Sequence, residues 1–198
     1  MKKLLIIAIA LLTSATISNA QVSHNFGIRA GMDISKLTGH YSGVSVNTAS
    51  KIGFHAGVVD QINFSENVPL FVETGLMFEQ KGFKVKEQDV TENSFYLQIP
   101  AVLGYSIPAS DLVKVQPFAG LYYGYGLGGK VKESTGDKVN TFGDDGLKRS
   151  DFGFRVGVGV AISSYYIGAG YENSLIKVNN GDGTGKNQVF TISLGYNF

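Results

Sequence analysis

The sequence predicts an all-β fold: eight antiparallel strands closed up-and-down into a barrel that crosses a membrane, preceded by a cleaved signal peptide. Three observations predict it. Stretches of about ten residues alternate large apolar with small or polar side chains, the period of a strand and the length a tilted membrane strand needs. The apolar faces carry no charge through their central stretches, and Arg29, Glu73, Arg155 and Glu172 share their face with glycines. The connections alternate long and short, as when surface loops alternate with tight turns on the opposite side.

The N-terminus comes first. Lys2 and Lys3 precede the apolar run Leu4 to Leu12 and the small-residue end Ser18-Asn19-Ala20. Nine apolar residues fall short of the ~20 of a spanning helix, so residues 1–20 read as a secretory signal and 21–198 as the barrel domain. Removing two lysines leaves fifteen basic and sixteen acidic residues. That near-neutral balance excludes an electrostatic case for nucleic acid. With no cysteine there is no disulfide, thiolate metal site or lipid-modified cysteine. Glycine is 26 of 198 residues and sits within strands, where it weakens a soluble sheet.

The expected strands run about His24–Ile34, Lys51–Ile62, Leu70–Gln80, Ser94–Ile107, Val113–Gly129, Asp151–Ile162, Tyr165–Glu172 and Asn187–Phe198. The sixth shows the pattern most clearly. Phe152, Phe154, Val156, Val158, Val160 and Ile162 oppose Asp151, Gly153, Arg155, Gly157, Gly159 and Ala161. The last strand ends the chain on Phe198, with Phe190, Ile192, Leu194 and Tyr196 on the same face. An outer face that greasy, with the charges on the other, points to lipid. Pro100 and Pro117 fall inside strands, where each removes a ladder donor, and are expected at bulges or shortened ends.

Arg29, His55, Glu73, Gln98, Arg155 and Glu172 are therefore expected to project into the lumen as a structural polar cluster. Eight strands leave an interior just wide enough for side chains to fill it. Arg29 and Glu172 are placed to meet across the small Thr191 or Ser193 of the last strand. Tyr105, Tyr123, Tyr125, Tyr165, Tyr171 and Tyr196 suit interfacial girdles. The loops, about Ser35–Ser50, Lys81–Asn93, Lys130–Ser150 and Lys177–Lys186, are where specific contacts belong. The lysines and arginine of the third suit lipopolysaccharide phosphates, and its mixed charge also suits a protein partner.

No catalytic, cofactor or metal motif stands up. Gly124-Tyr125-Gly126-Leu127-Gly128-Gly129 matches a nucleotide fingerprint but opens no helix. Gly181 to Asn187 lacks both the first glycine and the hydroxyl of a phosphate loop, and as a calcium loop it has Thr191 where a glutamate belongs. His24, His40 and His55 join no Ser–His–carboxylate set that spacing alone reveals.

Tyr96-Leu97-Gln98-Ile99-Pro100-Ala101-Val102-Leu103-Gly104-Tyr105, Pro117-Phe118-Ala119-Gly120-Leu121-Tyr122-Tyr123-Gly124, Asp151-Phe152-Gly153 and Phe190 to Phe198 resemble the small outer-membrane β-barrel domain common in Bacteroidota, the group that includes PorT-like proteins. Phe26 to Met32 and Gly53 to Gly57 fit its first hairpin. The resemblance spans nearly all of the mature chain. It implies an eight-stranded barrel inserted by the outer-membrane assembly machinery, with Phe198 as the recognised end. From the residues themselves no enzymatic activity is expected, and the expected contacts are outer-membrane lipid and lipopolysaccharide and an envelope or extracellular protein partner at the loops. A role in secretion, like that of PorT, is the finer expectation. The alternatives are a soluble periplasmic ligand-binding barrel of lipocalin type, which needs an apolar lumen, and a narrow channel.

Overall fold

The computed structural model describes residues 22–41, 44–65, 68–85, 88–134, 136–143, 146–181 and 183–198. The expected signal segment and the loop residues Asp144, Asp145 and Asp182 lie outside them. Among the described residues there are eleven strand segments where the sequence predicts eight strands. They are β1 (Ser23–Tyr41), β2 (Val44–Asn47), β3 (Ala49–Ser65), β4 (Val68–Val85), β5 (Val90–Tyr105), β6 (Ile107–Pro108), β7 (Val113–Lys132), β8 (Lys138–Asn140), β9 (Ser150–Ile162), β10 (Tyr165–Ser174) and β11 (Thr184–Asn197). The difference is physical. β2, β6 and β8 are short segments that pair only with β1 or β7, extending the hairpins beyond the ring.

The ring runs β1-β3-β4-β5-β7-β9-β10-β11 and closes antiparallel from β11 back to β1. A walk along paired residues from Phe26 goes through Asp60, Thr74, Ala101, Leu121, Phe154, Asn173 and Gln188, and returns to β1 at Lys36. The register has climbed ten residues in one circuit. That stagger tilts the strands by roughly 40° to the axis, as barrel closure requires.

Burial is the reverse of a soluble protein's. Phe26, Ile52, Val58, Leu103, Ile167 and Leu194 are exposed on the outer face, while Arg29, Glu79, Lys81, Gln98, Asp151 and Glu172 are buried inside. No helix of the described residues is long and apolar enough to span a membrane, and the crossing falls to the strands. The interior glycines have a packing reason. A side chain at Gly153 would meet the Tyr122 ring, one at Gly157 the Phe118 ring, and one at Gly159 or Gly168 the Tyr166 ring. Large inward aromatics fit only because these neighbours, across the ladder or two residues along the same strand, have no Cβ.

The prolines correct the expectation. Pro100 and Pro117 sit within full-length strands, opposite Tyr122 and Val158. On its β4 side Pro100 interrupts two rungs without shifting the register, and Thr74 Oγ1 donates to its carbonyl at 2.8 Å. The register shifts of the ring lie elsewhere, at Ser50/His55, Asn63/Ser65 and Phe95/Tyr96. The strands also reach further at the loop end than predicted. β4 continues to Val85 and β5 begins at Val90, so most of the expected loop from Lys81 to Asn93 is paired sheet.

Candidate functional site

The lumen is filled from the middle upward by side chains from all eight ring strands. Lys81, which the sequence reading placed in a loop, is its hub. Its Nζ lies 3.1 Å from Gln98 Oε1, 3.3 Å from Asp151, 3.4 Å from Glu79 and 3.7 Å from Glu172. It also stands over the rings of Tyr122 at 4.6 Å and Tyr96 at 5.3 Å, where the π faces attract a cation. Glu172 accepts from Gln98 Nε2 at 3.0 Å and from Arg155 Nη1 at 3.0 Å. Asp151 accepts from Ser174 at 2.6 Å, Asn187 at 2.9 Å and Tyr122 at 3.3 Å.

Arg29 and Glu172 engage different partners and not each other. Arg29 donates to Asn197 Oδ1 at 2.7 Å and to Glu73 at 3.3 Å, and its guanidinium lies 4.0 Å from the centre of the Tyr166 ring. The structure thus places all six expected lumen residues inside. Arg155, Glu172 and Gln98 join the Lys81 hub, Arg29 and Glu73 form a second pair toward the turn end, and His55 stands in a third group. Asp33, Glu79, Lys81 and Asp151 complete the network and were missing from the expected cluster. Their signal was parity, since Lys81 continues the odd face of Glu73 and Glu79. Within these three groups Asp33, Glu73, Glu79, Asp151 and Glu172 face the cations Arg29, Lys81 and Arg155, with His55 bonded to Asp33. Such an interior holds together only through dense mutual hydrogen bonding.

The His55 group has the connectivity of a catalytic triad. His55 Nδ1 is 2.6 Å from Asp33 Oδ1 and Nε2 is 2.9 Å from Ser193 Oγ. Three strands supply it, which is why spacing along the chain conceals it. A triad also needs a substrate path and donors around the reacting carbonyl. Asp33 is fully buried and His55 and Ser193 are nearly so. The cavity beside Ser193, among Arg29, Glu73, Arg155 and Tyr166, measures about 10 Å³, room for one water. Ser193 therefore orients His55 and has no room for an acyl substrate. No group of His, Asp and Glu among the described residues has the arrangement of a metal site.

The two mouths differ. At the turn end an open bowl of about 890 Å³ is lined by residues such as Ser23, Asn25, Gln61, Asn63, Ser106 and Gln116. At the loop end Phe142, Leu147 and Val178 cluster on Tyr96, with Phe142 and Tyr96 edge-to-face at 5.6 Å. Gly126 leaves the gap that the Phe142 ring fills. Arg149 stands 5.1 Å over that ring and donates to the carbonyls of Gly126 at 2.6 Å and Leu127 at 3.1 Å. Lys148 N donates to Val178 O, and Asn180 Nδ2 to Gly143 O. Toward the loop end from Tyr96, Glu92 is buried on β5, and that burial pushes its carboxyl up to about 7 against the opposing pull of Ser94, Thr141 and Lys51.

Tyr165, Tyr196 and Phe198 form an aromatic run at the turn end, with successive rings 5.5 Å apart. Phe198 is exposed, and its N–H donates to Phe26 O at 2.8 Å.

The sequence pattern of the outer membrane protein beta-barrel domain family matches residues 6–198. Neisserial surface protein A superposes with a TM-score of 0.52 at 16% identity, covering 89% of this chain and 99% of that one. Ail, the attachment invasion locus protein of Yersinia pestis, gives 0.49 at 17% identity, with 89% and 99% covered. OprG from Pseudomonas aeruginosa gives 0.49 at 13% identity, with 90% and 98% covered. At these identities the neisserial likeness speaks to fold alone. No curated protein matches the chain.

Proposed function

Because the chain belongs to the outer membrane protein beta-barrel domain family, and so resides in the outer membrane, we propose that it acts without enzymatic chemistry, as a membrane-anchored interaction surface presented by its extracellular loops. The observation that carries this reading is the double closure of the lumen: the Lys81 network fills the middle, and Phe142, Leu147 and Val178 cover the extracellular mouth. That leaves the loops and the rim above the lipid as the surface that meets other molecules. Lipopolysaccharide at the rim and an envelope or extracellular protein at the loops are its partners. Phe198, exposed at the chain end, is the element presented to the assembly machinery. The finer reading is a PorT-like member of the Bacteroidota group that contributes to secretion.

The test begins with outer-membrane fractions run in SDS with and without boiling. A compact form that shifts on heating is expected, with no single-channel conductance in planar bilayers. Deleting residues 133–149 should abolish the biological contact while leaving the heat shift intact. Steady conductance, or covalent labelling of Ser193 by a fluorophosphonate, overturns the reading. Deleting Phe198 should leave chain in the periplasm, and loss of secreted proteins in a deletion strain is what the PorT-like role requires.

A further inference from the structure

On each ring strand the outward face turns polar at a definite residue: Lys36, Ser50, Gln80, Asn93, Lys130, Ser150, Asn173 and Gln188. These positions mark the upper edge of the lipid-facing band. On one side of the barrel the residues at and above that edge are cationic in register. Asn93 pairs with Lys130, which pairs with Asn140 of β8. The next rung is Lys84, Thr91, Lys132 and Lys138, each opposite the next.

All four lysines are exposed, and no ion pair among the described residues engages their ammonium groups. Lys130 donates to Asn140 Oδ1 at 2.7 Å. Glu92 belongs to the opposite, inward face of β5, and Glu133 and Asp137 lie beyond the rung in the hairpin turn. Lys132 directly opposite Lys138 is a like-charge cross-strand pair, which weakens a sheet unless an anion sits between. Immediately below run three outward rings, Phe54, Phe78 and Phe95, with centres 6.1 and 5.6 Å apart.

We propose that this face of β4, β5, β7 and β8 is a binding site for the phosphates of lipopolysaccharide in the outer leaflet. The lysine ammonium groups take the phosphates as point charges, and the Phe54–Phe78–Phe95 ladder packs along the acyl chains beneath. Geometry favours a lipid over a soluble polyanion. The lysines stand on the lipid-facing side of the wall, Lys130 and Lys132 through the register shift at Phe95/Tyr96, so they reach sideways from the wall and not up from the loops. Lys130 stands only two residues above the Phe95 rung, about 7 Å along the strand, the height at which lipid gives way to head groups.

The proposal rests on the outer-membrane reading above, and its test separates the two. The purified barrel in neutral-detergent micelles is titrated with lipopolysaccharide, with its dephosphorylated form and with heparin, following the temperature at which the compact form is lost. Lipopolysaccharide should raise that temperature and the dephosphorylated form should not. Replacing all four lysines by Gln should weaken the response on the order of a thousandfold, at about one kcal/mol per lysine. Lys132→Gln alone should weaken it about fivefold, and Lys114→Gln at the turn end should have no effect. The compact form should persist in every variant. A four-lysine variant that responds like the parent overturns the site, as does an equal response to the dephosphorylated lipid. Heparin binding as tightly as lipopolysaccharide assigns the lysines to a soluble polyanion and overturns the lipid. If the parent shows no compact heat-sensitive form, the barrel reading itself falls.

Discussion

At its turn end the barrel is an open polar bowl, whereas at its loop end Phe142, Leu147 and Val178 fold over Tyr96 and shut it. Between them lies a second closure of another kind, the ion network centred on Lys81. The apolar cap is made by loop segments held on Tyr96 by backbone hydrogen bonds and by side-chain bonds from Arg149 and Asn180. The network is made by the ring strands themselves and shares their stability. The two seals thus differ in chemistry, an apolar cluster on loop segments against an ionic network on the ring strands.

Breaking the network should have the largest effect. Lys81→Met strands Asp151 and Glu79 without their cation and leaves Glu172 with Arg155 alone, and removing one partner from a buried ionic set costs about 3–5 kcal/mol. The compact form should be lost at a markedly lower temperature on unboiled gels. Phe142→Ala should instead act locally. It removes about 3 kcal/mol from the cap, read as faster proteolysis within residues 133–149, while the barrel's heat shift stays put.

pH separates the two regions further. Glu92 lies above the lipid band, and its folded carboxyl titrates near 7 where an unfolded one titrates near 4.5. The folded cap holds that proton more tightly, so its stability is fully present below about pH 4.5 and falls as pH rises through 7. Roughly 2–3 kcal/mol should go between pH 5 and 8. Cap proteolysis should accelerate over that range in the parent and stay level in Glu92→Gln. The smallest effect is expected at Ser193→Ala, about 1 kcal/mol for one hydrogen bond to His55, measured as the denaturant midpoint of the whole barrel.

Period-two alternation located every ring strand, because lipid imposes a stringent apolar rule on one face. It ended the strands early where that rule ceases. Past Ile34, Phe78, Phe95 and Leu127 the outward residues become polar, yet the ladder needs only backbone groups and continues into water. Lys81 was lost to a loop for that reason. Parity also put Arg29 and Glu172 on the inner face, but not at a height. A stagger of ten residues per circuit decides who meets whom, and it paired Arg29 with Glu73 and Glu172 with Arg155. The Ser193–His55–Asp33 chain was hidden likewise, since it exists only once β1, β3 and β11 are in register.

The junction of β1 with β11 has a consequence for how the molecule is made. Fourteen residue pairs, from Gly27–Asn197 to His40–Thr184, join the beginning of the domain to its end. None of them can form until the final residues have been synthesised and exported, so the longest-range contacts come last and closure is slow. Until then two unpaired strand edges stand open, each a template for another chain. The vulnerable moment in the life of this protein is therefore the interval before the ring closes, when both edges can pair with a neighbour of the same kind.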